Sequence, residues 1–373
     1  MRITGVRAYA LPFAFTGGGY RTSYGARTHL NNLLIELRTD SGSVGYGEVA
    51  RLTGKSVEPT DKDFVSRLRV MLEPVLGRDA SAPDLVVTAM GPLPEGFTNV
   101  AAAVDTACWD LKAKQGGVPL CDLIGGRRRD SIPCYHSVGQ NSPERMAAAA
   151  AGGASAGHRV LQMKVGDSID ADCARVQAVL DAVPEDTIVL PDANGGWDIA
   201  TASSVVCQIT DPRLMWEEPC STYAENRALA EKTGAGLVLD QCMKGLGEYE
   251  QACRDGFAAG CGLKPAFQGG ISNSVAARNL CVESGIALKI DDSWGADATT
   301  AAALHLALGV AGDLLLCGVD MRIYFDRRYA EDGPDYRPPD LYPGAGPGLG
   351  ITPDTAGLGP PVLELVWSGA QTG

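Results

Sequence analysis

A strand-and-helix unit of roughly 25 residues repeats through the chain after Gly125-Gly126. Eight short apolar runs alternate there with helical segments, and they end near positions 138, 165, 193, 218, 240, 264, 291 and 318. Such alternation predicts parallel strands joined by crossover helices. Eight strands of this kind predict an α/β fold, a (β/α)8 TIM-type barrel, although periodicity alone also allows an open doubly wound sheet.

The first 125 residues have a different pattern. Residues 1–10, 30–38 and 43–49 have the composition of strands around a turn at 40–42, and the chain from about 61 to 115 is helical in pattern. We therefore expect an N-terminal α+β capping domain over residues 1–125, joined by the C-terminal tail 346–373. Residues 126–345 are then the barrel that carries the active site.

Titratable residues stand at the ends of successive predicted strands. Functional groups lie at the C-terminal ends of barrel strands, so these residues are candidates for a site. Those from Asp192 to Lys264 follow one another at intervals of 25, 23 and 24 residues, which places them at neighbouring positions of the rim. The residues are Lys164, Asp192, Glu217, Asp240, Lys264 and the pair Asp291-Asp292.

Asp192, Glu217 and Asp240 form an oxygen-rich set on three consecutive strands. Mg2+ prefers a few carboxylates and keeps positions for water or substrate, so these residues are candidate Mg2+ ligands. The alternative is an ordinary salt-bridged rim. Lys164 and Lys264 lie on either side of the three in strand order, and burial beside Mg2+ is expected to lower a lysine pKa toward that of a general base.

Composition and charge exclude several classes of function. The net charge of −13 argues against nucleic acid as a partner, because binding to phosphate backbones depends on Lys and Arg. The eleven cysteines form no CxxC pair, which disfavours a zinc site and fits a reducing compartment. No signal peptide or membrane segment is evident, so we expect a cytoplasmic protein without membrane partners.

The motifs together resemble the enolase superfamily, specifically the muconate-lactonizing subgroup of the mandelate racemase/muconate lactonizing enzyme family. The segments that carry the resemblance are GSVGYGE, AAVDTACWDL, LIGG, LQMKVG, PDANGGW, WEEPC, VLDQ, LKPAFQGGIS, DDSWG and GPGLGITP. The resemblance implies Asp192, Glu217 and Asp240 as Mg2+ ligands and Lys164 and Lys264 as acid and base. It also implies a small-molecule carboxylate substrate and a homo-oligomer, such as a dimer or an octamer.

Two positions depart from the pattern of the family. The usual KxK of the second strand is Gln162-Met163-Lys164 here, so a neutral amide lies on the same face as Lys164. The fifth strand ends in Asp240-Gln241 where an acidic pair is common. Both changes narrow the class of substrate but leave the general reaction possible, which is removal of a proton alpha to a carboxylate.

The chain is most similar to the branch of the family that acts on proline derivatives, namely cis-3-hydroxy-L-proline dehydratases and hydroxyproline betaine epimerases. The predicted reaction is dehydration of cis-3-hydroxy-L-proline to 1-pyrroline-2-carboxylate. Asp320 is a candidate acceptor for a ring ammonium, unless it is a loop residue or a partner of Arg322. The full set of candidate substrate contacts is Gln162, Asp292, Trp294, Asp320 and Tyr20, with loops 20–24 and 51–55 reaching over the barrel mouth.

Three other functions stay open at this stage. The same two lysines can invert an alpha centre, as in an epimerase or racemase of a proline betaine or an N-acyl amino acid. A muconate-type cycloisomerase needs a further cation for a second carboxylate, for which Arg21, Arg27 or Lys55 are candidates. The last alternative is a barrel that binds a small acid without turnover.

Overall fold

The structure is a computed structural model that describes residues 1–22, 25–50, 58–94, 97–292 and 294–369, apart from the side chains of residues 20–27. Eight parallel strands form one sheet in sequence order. Each ends within one residue of its predicted position, which confirms the predicted fold class. The strands are His136–Val138, Val160–Lys164, Ile188–Asp192, Trp216–Glu217, Leu237–Leu239, Ala258–Leu263, Ala287–Ile290 and Leu315–Cys317.

Backbone contacts between the first and the eighth strand close this sheet into a barrel. Cys134 and Gly318 form a parallel bridge. The Gly318 amide donates to the Pro133 carbonyl at 2.7 Å, and the Tyr135 amide donates to the Gly318 carbonyl at 3.0 Å. The alternative of an open doubly wound sheet is therefore wrong, because an open sheet leaves its two edge strands unpaired.

Seven α-helices connect successive barrel strands and cover the outside of the barrel. Their ends follow local sequence signals. The helix that begins at Tyr223 has a capping box between Thr222 and Glu225, and its C-terminal cap Gly234 is left-handed with φ of 68°. No helix in the described ranges is long and apolar enough to cross a membrane. The seven helices are Pro143–Ser155, Ile169–Ala182, Ile199–Gln208, Tyr223–Thr233, Leu246–Asp255, Ile271–Glu283 and Asp297–Leu308.

The N-terminal part is an antiparallel sheet followed by helices, as the pattern predicted. The sheet has the strand order Leu363–Val366, Ile3–Ala14, His29–Thr39 and Val44–Val49. The strand Ile3–Ala14 thus pairs with a strand of the C-terminal tail, Leu363–Val366. The domain boundaries at 125 and 345 stay predictions. The helices of this part are Lys62–Leu72, Pro83–Ala89, Thr98–Gly116 and Leu120–Leu123.

The described residues also form three short strands and one hairpin. Strands Ile132–Pro133, Asp335–Arg337 and Asp340–Tyr342 form a small sheet. Strands Tyr20–Thr22 and Gly25–Arg27 pair as a hairpin. A 3-10 turn, Met321–Tyr324, follows the eighth barrel strand in place of a further helix.

The helix Thr98–Gly116 packs between the antiparallel sheet and the barrel, and most of its residues are buried. Gly47 of the sheet lies so close to it that an added Cβ would meet the Ala103 carbonyl oxygen at 1.9 Å, so only glycine fits. On the barrel side, Asp105 accepts from the Ser272 amide at 3.0 Å and from its hydroxyl at 2.6 Å. These contacts join the sheet to the barrel through one helix.

Glu48 makes a second junction, directly beside the barrel mouth. Its side chain is buried and accepts from Asn32 Nδ2 at 2.9 Å, the Ala296 amide at 2.8 Å and the Tyr329 hydroxyl at 2.9 Å. Asn32 also donates to the Trp294 carbonyl at 3.0 Å. The sheet therefore holds the loop that follows the seventh barrel strand.

Candidate active site

The strand-end residues predicted from spacing meet at the C-terminal edge of the barrel. Lys164 pairs in register with Asp192, and Asp192 pairs with Glu217. Asp240 follows directly after the fifth strand, and Lys264 follows directly after the sixth. Asp192, Glu217 and Asp240 are 1%, 0% and 6% exposed, so their charges are shielded from water. The parallel register explains the meeting, because residues at the ends of neighbouring strands lie side by side.

Side chains from the two flanking lysines contact the outer carboxylates. Lys164 Nζ donates to Asp192 Oδ2 in a short contact, and Lys264 Nζ donates to Asp240 Oδ2 at 2.7 Å. The two lysines come from the second and the sixth strand, with the three carboxylate strands between them. The ion pairs considered from sequence are therefore present in this structure.

The neutral Gln162 lies among the carboxylates, as its spacing from Lys164 implies. Its Nε2 donates to Asp192 Oδ2 at 3.1 Å and to Glu217 Oε2 at 2.9 Å, and its side chain is buried. One amide group thus links the carboxylates of the third and fourth strands.

Lys289 is a third lysine of the site, and sequence reasoning did not identify it. It lies within the seventh strand, is 1% exposed, and donates to Glu217 Oε1 at 3.0 Å and to Asp291 Oδ2 at 2.5 Å. The pattern of titratable residues at strand ends does not include Lys289, because this residue stands before the last residue of its strand. The signal available was parity, since Lys289 stands two residues before Asp291 and therefore on the same face of the strand.

Glu218 is a second residue that sequence reasoning missed. Its carboxylate accepts from the Asp240 amide at 2.6 Å and from the Cys242 amide at 3.0 Å. Its φ of 41° is left-handed, which costs backbone energy in a residue with a Cβ. The strained turn after the fourth strand thus fixes the backbone on which Asp240 stands.

The electrostatics show an excess of buried negative charge. Burial and the nearby Asp192 raise the pKa of Glu217 to about 7, and burial together with Asp240 raises the pKa of Glu218 to about 8. For Lys264, burial acts to lower the pKa, but the charges of Asp240 and Asp291 together outweigh burial and the pKa is raised. The lowering predicted for a lysine beside bound Mg2+ stays a prediction, because here the carboxylates stabilise the ammonium of Lys264.

The donor chemistry of the three carboxylates fits a hard divalent cation. They offer only oxygen, and the raised pKa of Glu217 reflects its burial first and the charge of Asp192 second, both of which a bound cation would offset. Within the described residues, however, no three acidic, imidazole or thiolate side chains already surround one point closely enough to hold a metal. Lysine and glutamine side chains donate hydrogen bonds to these carboxylate oxygens instead. Binding of a metal therefore requires that bonds to the metal replace some of these hydrogen bonds.

Asp292 and Trp294, two of the predicted substrate contacts, form a turn after the seventh strand. Asp292 Oδ1 accepts from the Trp294 amide at 2.9 Å, and its Oδ2 accepts from the Thr300 hydroxyl at 3.2 Å. Trp294 has a φ of 69°, and its ring meets Phe15 edge-on at a centroid distance of 5.2 Å. Asp292 therefore shapes the loop, and Trp294 is held where the antiparallel sheet meets the barrel.

Asp320 follows the eighth strand and pairs with Arg322, one of the alternatives that the sequence left open. Its Oδ1 accepts from Arg322 Nε at 2.8 Å and its Oδ2 from Arg322 Nη2 at 2.7 Å. Arg322 also reaches Asp297 at 3.2 Å. Both oxygens of Asp320 are thus held within the protein. The Tyr20 side chain and loop 51–55 lie outside the described residues.

Comparison with known proteins agrees with this arrangement. Residues 145–357 match the family described as Enolase C-terminal domain-like, and residues 15–125 match the Mandelate racemase/muconate lactonizing enzyme N-terminal domain. The chain belongs to the enolase superfamily. Within it, the two matches place the chain in the mandelate racemase/muconate lactonizing enzyme family, which confirms the resemblance drawn from the sequence motifs.

Three proteins show how this member of the enolase superfamily compares with its relatives. It is 30% identical to a cis-3-hydroxy-L-proline dehydratase from Roseibium aggregatum, over 98% of this chain and 100% of the relative. It is 27% identical to an N-succinyl-L-Arg/Lys racemase from Bacillus cereus, over 82% and 84%. A solved structure of an enolase superfamily member from Roseovarius nubinhibens ISM, complexed with magnesium, gives a TM-score of 0.89 at 28% identity and covers 98% of this chain and 100% of that chain.

Proposed function

We propose that this protein is a Mg2+-dependent lyase that dehydrates cis-3-hydroxy-L-proline to 1-pyrroline-2-carboxylate. The observation that carries the proposal is the placement of Lys164 and Lys264 on the second and sixth strands, with the carboxylate strands between them. The 30% identity to a dehydratase of that name, over nearly the whole of both chains, supports the choice of substrate.

Asp192, Glu217 and Asp240 would hold the metal through their carboxylate oxygens. When bound, Mg2+ withdraws electron density from a substrate carboxylate and stabilises the negative charge left by removal of the alpha proton. Lys164 and Lys264 already contact Asp192 and Asp240, so both amines lie beside the position where the substrate carboxylate would bind.

The stereochemistry of the proposed substrate suits two lysine amines that face opposite sides of its ring. In cis-3-hydroxy-L-proline the alpha hydrogen and the 3-hydroxyl lie on opposite faces of the ring. One lysine takes the alpha proton, and the Cα–H electrons form the Cα–C3 double bond as the C3–O bond breaks. The other lysine protonates the leaving hydroxide, so one water is released. The resulting enamine then tautomerises to 1-pyrroline-2-carboxylate.

Proton NMR in D2O with Mg2+ tests this proposal directly. The expected result is loss of the substrate alpha-proton signal together with release of water and a product that carries deuterium at C3. Lys164→Ala and Lys264→Ala should each abolish product formation, while Lys232→Ala, a change of an exposed lysine, should leave it unchanged. Turnover that persists unchanged in Lys164→Ala and after EDTA treatment would rule out this chemistry. Absence of any turnover by the unchanged protein with Mg2+ would instead favour a barrel that only binds a small acid.

Epimerisation is the second candidate, favoured by the 27% identity to an N-succinyl-L-Arg/Lys racemase. Two lysines on opposite faces can exchange and return an alpha proton as readily as they can assist elimination. The same NMR experiment separates the two, because epimerisation gives a deuterated substrate of inverted configuration without loss of water.

Since Arg322 holds both oxygens of Asp320, the dehydratase proposal does not depend on Asp320 to bind the ring ammonium.

A further inference from the structure

Lys289 projects from the middle of the seventh strand into the barrel interior. Its register neighbours are Gly262 on the sixth strand and Cys317 on the eighth. Its ammonium lies 5.1 Å from the centre of the Tyr135 ring and is 1% exposed. A lysine charge is rarely buried this deeply without carboxylate partners. The carboxylates that Lys289 contacts therefore indicate its role.

Each candidate metal ligand has one lysine of its own. Lys164 contacts Asp192 and Lys264 contacts Asp240, whereas Lys289 contacts Glu217 at 3.0 Å. The first two lysines are assigned to proton transfer. Lys289 donates instead to two carboxylates at once, and it reaches Glu217 Oε1 from the seventh strand, whereas Gln162 reaches Oε2 from the second.

Glu217 is therefore held by one cation and one neutral amide. Lys289 Nζ donates to its Oε1, and Gln162 Nε2 donates to its Oε2 at 2.9 Å. Both donors fix the rotation of the same carboxylate, and of these two donors only Lys289 carries a positive charge. The second strand places a neutral side chain beside Glu217, and the seventh strand supplies the positive charge.

We propose that Lys289 is a positioning residue that brings a positive charge into hydrogen-bond contact with Glu217 and orients this carboxylate for Mg2+, which allows residue 162 to be neutral. The proposal rests on the metal site of the proposed function but not on the reaction. A lysine at position 162 should then substitute for Lys289, since it would bring one cation to the same carboxylate from the other side.

The test is a double-mutant cycle of Lys289→Met and Gln162→Lys, with Mg2+ affinity measured by isothermal titration calorimetry in the absence of substrate. Loss of an orienting partner is expected to weaken Mg2+ binding about tenfold in Lys289→Met. Gln162→Lys alone, which places two cations on Glu217, should weaken it by about tenfold as well through repulsion. The combined variant should return to within about threefold of the unchanged protein, whereas independent effects would give a loss of about a hundredfold.

The thermal midpoint of the metal-free protein is the second measurement. Lys289→Met leaves a buried carboxylate pair without its cation, so the midpoint should fall by roughly 5–10 °C, and the combined variant should recover at least half of this loss. Lys232→Met, on an exposed helix surface, is the matched control and should change neither measurement.

The proposal is overturned if Lys289→Met binds Mg2+ as tightly as the unchanged protein, or if the two substitutions add in the combined variant. If Lys289→Met does not fold alone, a folded combined variant with near-normal Mg2+ affinity supports the proposal, and an unfolded one overturns it. If the unchanged protein binds no Mg2+, the proposed cofactor is wrong, and the thermal midpoints alone decide the role of Lys289.

Discussion

Glu218→Gln is a sharp test of how the site is built, because it removes one acceptor without changing the size of the side chain. The two oxygens of Glu218 accept from the amides of Asp240 and Cys242 at 2.6 and 3.0 Å. Glutamine keeps one oxygen, so one buried amide must face an NH2 group. Above its pKa of about 8, the Glu218 carboxylate is ionised. At such a pH, an unsatisfied buried donor costs about 1–3 kcal/mol, and hydrogen bonds to a charged acceptor are worth about 1.5–3 kcal/mol. We therefore expect a loss of about 2–3 kcal/mol in the free energy of unfolding.

The effect on function should be specific to the metal, because one of the two amides belongs to Asp240. A displaced Asp240 backbone is expected to weaken Mg2+ binding about tenfold and to lower kcat/KM by a similar factor. Urea denaturation followed by tryptophan fluorescence measures the stability, and calorimetry measures the metal affinity. Glu283→Gln, which changes an exposed glutamate, is the control. A folded Glu218→Gln protein with unchanged stability and Mg2+ affinity would refute the reasoning.

Three further predictions concern other parts of the molecule. Lys164→Met and Lys264→Met should each lower kcat by at least about a hundredfold while the fold is kept, as steady-state kinetics and circular dichroism can check. Glu48→Gln should loosen the Trp294 loop and raise KM more than it lowers kcat, because this carboxylate accepts from Asn32, Ala296 and Tyr329. Burial lowers the pKa of His305 from 6.5 to about 4. The unfolded chain therefore binds the extra proton first, and stability falls as pH drops from about 6.5 to 4, by about 3 kcal/mol in total. The urea curves of His305→Asn should lack this component, and an unchanged pH dependence would contradict the assignment.

The sequence determined where the barrel strands end and which carboxylates meet. Parallel strands of similar length align their C-terminal ends, so equal spacing was enough to bring together Asp192, Glu217 and Asp240. The same reasoning placed Lys164 and Lys264 on either side of them. These inferences held because they depend on chain distance and strand parity, both of which can be read from one sequence.

Only the tertiary structure decided which side chains pair across the barrel. Lys289 reaches Glu217 from a strand that is 72 residues away along the chain, and Arg322 donates to both oxygens of Asp320. The pKa of Lys264 is raised rather than lowered for the same reason, since neighbouring carboxylates outweigh its burial. Buried charges take the partners that the closed barrel brings within hydrogen-bond distance, and one-dimensional spacing does not specify those distances.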